Sequence, residues 1–336
     1  MLWCALLFGY QNPLQGQDDF YPLPEPNASG FGYPYPPPAI DEPGVTAFRR
    51  PILDGHPELI FQPRPQDEVW LISTRNISAG TIRPAPLSQF VCKRSVGTAW
   101  ETVPVENLLH LQNNDTSKPT VFFIHGNRTE AFWARRRGKQ AYQSLIGNSA
   151  APLPAVRFVI WSWPSDPMKE NFLADFRLKM DRSFVDGQIF GEYLSRLNPQ
   201  QKVTIATYSL GAQIAATGVE TASKLQRESP ELQLLVSAPV IHCHWKVNDE
   251  QIAVFDQRIE AIRMFRNSKD RALIAYRIFC EIWCNGGFVS GADILAKSHH
   301  NVVEHDVSNS VGSEHNIVGY LSQPALRAEF QQLMSR

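Results

Sequence analysis

The 336-residue chain carries 32 Lys and Arg against 33 Asp and Glu, a formal net charge of −1, with 43% hydrophobic and 19% charged residues. That is long and apolar enough to bury a substantial core, and the balanced charge argues against electrostatic binding of nucleic acid. Strands alternating with helical stretches of ten or more residues point to the α/β class, with a doubly wound, mostly parallel sheet and helices on both faces.

The start, Met1-Leu-Trp-Cys-Ala-Leu-Leu-Phe-Gly-Tyr10, is apolar but lacks a basic n-region and is too short to span a bilayer. It reads either as a clipped or misannotated export signal or as an ordinary start, so localisation stays open between cytoplasmic and exported. No other segment has the length and apolarity of a transmembrane helix. Residues 12 to 65 are crowded with proline and aromatic residues, including Tyr33-Pro-Tyr-Pro-Pro-Pro38, without sustained periodicity. They read as an extended arm, dividing the chain into residues 1–65 and a folded domain over 66–336.

Asp67-Glu-Val-Trp-Leu-Ile-Ser-Thr-Arg75 reads as the opening strand, and Pro119-Thr-Val-Phe-Phe-Ile-His-Gly-Asn-Arg128 as a central parallel strand ending in a tight loop. A glycine there lets backbone approach a ligand, which makes Gly126 and Asn127 candidate oxyanion donors. His125 directly ends the strand and suits packing and hydrogen bonding better than base catalysis. Val156-Arg-Phe-Val-Ile-Trp-Ser-Trp-Pro-Ser165 is the next strand, placing Trp161 and Trp163 where open α/β sheets bind ligands. With Trp133 they are candidates for the wall of an apolar acyl pocket, the plain alternative being that they cover the core edge. Asn171 to Leu197 reads as a helix with apolar residues Phe172, Leu173, Phe176, Met180, Phe184, Ile189 and Leu194, its charges Asp175, Arg177, Lys179, Asp181 and Arg182 forming a solvated face.

Val203-Thr-Ile-Ala-Thr-Tyr-Ser-Leu-Gly-Ala212 runs a buried strand straight into a serine, a glycine and a small-residue helix start. A serine hydroxyl is a weak nucleophile unless it is held proud of the fold, near a base and beside backbone N–H donors. A sharp strand-to-helix elbow supplies those conditions. Ser209 is therefore the candidate nucleophile and the Leu210 N–H an oxyanion donor. The usual form of the elbow is G-x-S-x-G, and Thr207 stands where the first glycine belongs. The competing reading is a serine that merely caps a helix.

Together, the F-I-H-G-N and W-P-S segments, the elbow and the later strand Leu232-Gln-Leu-Leu-Val-Ser-Ala-Pro239 resemble the α/β-hydrolases, in particular a bacterial family of poorly characterised hydrolases. The resemblance spans roughly residues 66 to 325. It implies the chain order Ser, then Asp or Glu, then His. The family's catalytic histidine falls on the Gly- and Ser-containing loop before the C-terminal helix, which makes His315 the candidate base. His305 lies inside the alternating strand Asn301-Val-Val-Glu-His-Asp-Val307, and His299 and His300 suit a solvated loop. Asp270, after Glu260-Ala-Ile-Arg-Met-Phe265, is the candidate acid that orients the imidazole. It would equally well cap the helix beginning at Ala272, and Asp293 and Asp306 are the alternatives.

The activity implied is hydrolysis of a small-molecule carboxylic ester or thioester through an acyl-enzyme, with no cofactor. The alternative is a catalytically silent hydrolase-fold protein that binds a partner of unknown kind. Five cysteines leave the compartment open. Cys280 and Cys284, four apart, and His242-Cys-His244 make only a weak zinc pattern beside Cys4 and Cys92, so no metal is expected. The sequons at Asn27, Asn76, Asn114 and Asn127 carry little weight.

Overall fold

In the computed structural model of the chain, residues 61–335 are described apart from 79, 81–83, 150, 169–171, 226–229, 242–252, 254–256, 284–294 and 297–300. The apolar start, the arm up to residue 60, the His242-Cys-His244 loop, Cys284, Asp293, His299 and His300 lie outside the described residues.

β1 (Glu68–Ser73), β2 (Val91–Val96), β3 (Ala99–Val103), β4 (Thr120–Ile124) and β5 (Arg157–Ser162) form one half of a nine-stranded sheet. β6 (Val203–Tyr208), β7 (Leu232–Ser237), β8 (Ile259–Arg266) and β9 (Val302–Asp306) form the other, the order being β3-β2-β1-β5-β4-β6-β7-β8-β9. β2 runs antiparallel to both its neighbours, and the remaining pairings are parallel. The sequences of β4 to β7 explain their place: they are nearly continuous apolar runs, buried at every position, as strands covered on both faces must be.

Successive residues of each strand serve opposite faces. On one face Phe122 and Ile124 of β4 meet Leu108 of α1 (Val105–Asn114), Phe190 of α3 (Phe172–Leu194) and Ile214 of α4 (Gly211–Leu225). On the other, Val121 and Phe123 meet Tyr142 of α2 (Ala131–Tyr142), and the C-terminal helices α7 (Ile317–Leu321) and α8 (Pro324–Met334) bring Tyr320 and Phe330. α5 (Arg271–Trp283) follows β8, and α6 (Ser308–Val311) follows β9. The parallel strands all end on one edge, where the loops after β4, β6 and β8 converge. Among the described residues no helix is long and apolar enough to cross a membrane.

The packed body begins before residue 66. Phe61 is buried edge-on against Tyr142, with ring centroids 5.5 Å apart. Arg64 grips Asp67 through Nε and Nη2 at 2.7 and 2.9 Å, and its backbone N–H donates to the Tyr142 hydroxyl at 2.8 Å. Tyr142 in turn donates to Asp67 Oδ2 at 2.7 Å, and the Val156 N–H reaches Asp67 Oδ1 at 3.0 Å. A boundary after residue 65 therefore cuts through this clasp, because the composition change that marks the arm runs past the first packing residues.

The helix α3 also departs from expectation. Asp175 and Lys179 are buried rather than solvated, because α3 runs against the loops after β4 and β5. Asp175 pairs with Arg128 at 2.9 Å and accepts the Met168 N–H at 3.2 Å. Burial lowers the proton affinity of Lys179, against the opposing pull of Asp175 and Asp166.

The clasp makes a testable difference. Phe61→Ala should cost about 3 kcal/mol of stability, the usual loss for truncating a buried aromatic. Arg64→Ala should cost about 1–3 kcal/mol by leaving the buried Asp67 short of donors. Urea denaturation measures both, and unchanged midpoints would restore the boundary at residue 66.

Candidate active site

Ser209 stands in the sharp turn between β6 and α4 with φ +54°, a left-handed conformation that a non-glycine residue adopts only where the surroundings impose it. The surroundings do so on both sides. The Ser209 N–H donates to Ser237 O at 2.9 Å, and Ser209 O accepts from Ala212 and Val240 at 3.0 and 3.2 Å. Gly211 has no room for a side chain: a Cβ there would lie 2.4 Å from Ile124 O at the end of β4. Thr207 is accommodated inside β6, in register with Ile124 of β4 and Val236 of β7, so the elbow forms without the first glycine of the usual pattern.

His315, on the loop before α7, bridges the serine and an acid. Its Nε2 is 2.9 Å from Ser209 Oγ and its Nδ1 is 2.7 Å from Asp270 Oδ2. A carboxylate only accepts, so Nδ1 carries the proton and the Nε2 lone pair faces the Ser209 hydroxyl. The arrangement can take a proton from Ser209 and hold the resulting imidazolium against Asp270. The imidazole lies over the Tyr208 ring, centroids 5.0 Å apart.

Asp270 makes two sets of contacts. Oδ1 caps α5, accepting the N–H groups of Ala272 and Leu273 at 3.0 and 3.1 Å, while Oδ2 faces His315. Tyr320, a residue no sequence motif singles out, donates its hydroxyl to Oδ2 at 3.2 Å. The carboxylate is fully buried. The alternatives lie elsewhere. Asp306 is half-exposed at the end of β9, hydrogen-bonded to Ser308, which holds its carboxyl below the usual range. His305 pairs with Glu329 at 2.8 Å and stacks on Phe265.

The loop after β4 abuts the elbow. A Cβ on Gly126 would come within 2.9 Å of Ser209 Cβ, so its backbone lies against the serine. Among the described residues no acceptor engages the N–H of Asn127 or of Leu210. The loop is braced from behind. Arg75 donates to Ser162 Oγ at 2.9 Å and Thr129 O at 2.7 Å and pairs with Asp166. Ser165 Oγ donates to Thr129 O at 2.9 Å, and Arg137 reaches Thr129 Oγ1. His125 is buried within this brace, its Nδ1 2.9 Å from Gly126 O and its ring stacked on Trp163. Burial above all, with the charges of Arg75 and Arg137, keeps it neutral.

Trp161 and Trp163 do not wall a pocket. Both are 0% exposed. Trp161 points into the core among Phe90, Phe122, Phe190 and Tyr193, and Trp163 donates its indole N–H to His125 O at 2.8 Å. Trp133 is half-buried on α2, edge-on to Phe132 and beneath Arg136. Cys92 is a buried thiol whose pKa is pushed up to about 12 by burial, and the side chain of Cys280 lies outside the described residues.

The nine strands of the described residues in this order, a serine elbow after β6 and helices on both faces decide the architecture. It is the α/β-hydrolase fold. No protein-family model and no curated protein sequence matches the chain. Solved structures that do match include an esterase from the hyperthermophilic archaeon Pyrobaculum calidifontis, at 11% identity over 73% of this chain and 77% of that one, TM-score 0.34. A thermostable esterase from Pseudomonas putida matches at 13% over 73% and 77%, TM-score 0.36. A type II thioesterase of the yersiniabactin biosynthetic pathway matches at 13% over 67% and 94%, TM-score 0.35. Likeness at this level assigns no residue a role and names no substrate.

The left-handed backbone at Ser209 predicts an order of stability. Ser209→Ala keeps a Cβ in that conformation and Ser209→Gly does not. The glycine variant should therefore unfold at a higher denaturant concentration than the alanine variant, by about 1 kcal/mol. Equal stabilities would mean that the turn relaxes when the hydroxyl is removed.

Proposed function

We propose that the protein is a serine hydrolase of carboxylic esters or thioesters, working through an acyl-enzyme. The observation that carries this reading is the hydrogen-bonded series Ser209, His315, Asp270, with the serine on a strained elbow. Ser209 Oγ attacks the acyl carbon as His315 Nε2 takes its proton. Asp270 holds the imidazole in the tautomer that can accept that proton and stabilises the imidazolium. The N–H groups of Leu210 and Asn127, with Gly126 giving the backbone its close approach, would bind the developing oxyanion. His315 then protonates the leaving group, and water, deprotonated by the same imidazole, releases the acid. This route calls for no cofactor, and the substrate is a small acyl compound. Trp133 remains a candidate for contact with it.

A fluorophosphonate tests the nucleophile, since only an activated serine reacts rapidly with it. It should modify Ser209 alone, and Ser209→Ala should abolish both labelling and turnover of short p-nitrophenyl esters. Rapid labelling that survives the substitution would sink the assignment. A protein that is not labelled at all would favour the silent, partner-binding reading kept open by Thr207. Asp270→Asn keeps an oxygen for the α5 cap but offers the imidazole an amide. Turnover should fall on the order of 10⁴-fold in a protein that still unfolds cooperatively. Near-normal turnover would show that Asp270 only caps the helix.

A further inference from the structure

We propose that Tyr320 is a positioning residue that sets the strength of the Asp270–His315 hydrogen bond, and through it the pH at which His315 becomes available as a base. The proposal rests on the serine-hydrolase reading. Tyr320 is fully buried, with its ring packed edge-on against Tyr208 at 5.8 Å, and its hydroxyl is 3.2 Å from Asp270 Oδ2. That is the oxygen that accepts His315 Nδ1–H at 2.7 Å, whereas Oδ1 is taken up by the α5 cap. Two donors therefore share one oxygen.

The loop that carries His315 is itself held in place, the Asn267 side chain donating to Gly312 O at 2.8 Å. Burial, together with the charge of Asp270, raises the proton affinity of the phenol far above its ordinary value, so it stays a donor across the working pH range. A donor to Oδ2 draws negative charge away from the atom that binds the imidazole proton. Removing it strengthens the hold of Asp270 on that proton, and His315 gives it up only at higher pH. Among the described residues, Tyr208 from β6 and Arg137 from α2 are the other titratable or charged groups on this side of the site, with Lys269 and Arg271 beside Asp270 and Glu314 beside His315 in the chain. Substitution at 320 leaves them all in place.

The test is the pH dependence of Ser209 labelling by a fluorophosphonate, measured on the full chain. In Tyr320→Phe the midpoint should move up by about half a pH unit, roughly threefold in proton affinity. Ester turnover below the midpoint should fall in kcat rather than rise in KM. 3-Fluorotyrosine placed at position 320 alone keeps the hydroxyl and makes it a stronger donor, so the midpoint should move down. It also decides the sign if the phenylalanine variant fails to fold. A purely structural role would lower the melting temperature of Tyr320→Phe and leave the midpoint where it was. Coincident profiles for the wild type and the fluorotyrosine protein overturn the proposal. Failure of the wild type to label at Ser209 overturns the hydrolase reading first, and the proposal with it.

Discussion

The site depends on how closely two stretches of backbone approach each other, the end of β4 and the turn after β6. Gly211 stands against the carbonyl of Ile124, and Gly126 against Ser209 and Tyr208, with no space at either place for a methyl group. The apolar strands tolerate exchange among residues of similar volume, because neighbouring side chains can repack. A backbone contact has nothing to repack. The distance between the serine and the loop facing it is thus fixed by the sheet register of β4 with β6, in which Ile124 pairs with Thr207.

Electrostatics then hold the loop at that distance. Arg75 and Arg137 each reach an oxygen of Thr129, Arg75 pairs with Asp166, and Arg128, on the same segment, reaches out to the buried Asp175 of α3. Buried ion pairs seldom add much stability, since desolvation offsets their attraction. What such pairs supply here is direction. Guanidinium groups donate in a fixed plane, and several converging on one loop leave its backbone few alternatives.

The sheet was legible because its central strands are unbroken apolar runs bounded by turns, and the elbow because few other sequences pass from β-branched residues to Ser-Leu-Gly. The resemblance pointed to Ser209, Asp270 and His315, which the fold brings within hydrogen-bonding distance of one another, and His125, read as a packing and hydrogen-bonding residue, is buried against Trp163. Trp161 of β5 and Trp163 just beyond it were misplaced for a physical reason. A strand buried on both faces has no alternation to say which way a side chain points, and Trp161 turned inward. The charges on α3 misled in the same way, since Asp175 is buried against Arg128, distant in sequence, and Lys179 is buried one turn further on. Tyr320 left no trace in the pattern, because one hydroxyl on an apolar helix looks like any core tyrosine. Phe61 and Arg64 were absorbed into the arm because proline-rich composition continues around them.

Asp270 joins the site to the secondary structure in a way that bears on how the protein loses function. The same carboxylate that faces His315 also ends the first turn of α5, so the two cannot come apart independently. Local opening at the ends of helices is far more frequent than global unfolding. Each time the first turn of α5 frays, the carboxylate is released from its two amide donors and the imidazole loses its orienting partner, while the sheet remains intact. On the proposed hydrolase reading, inactivation on warming runs ahead of the main transition. Amide exchange at Ala272 and Leu273 would follow the active fraction more faithfully than exchange in the central strands.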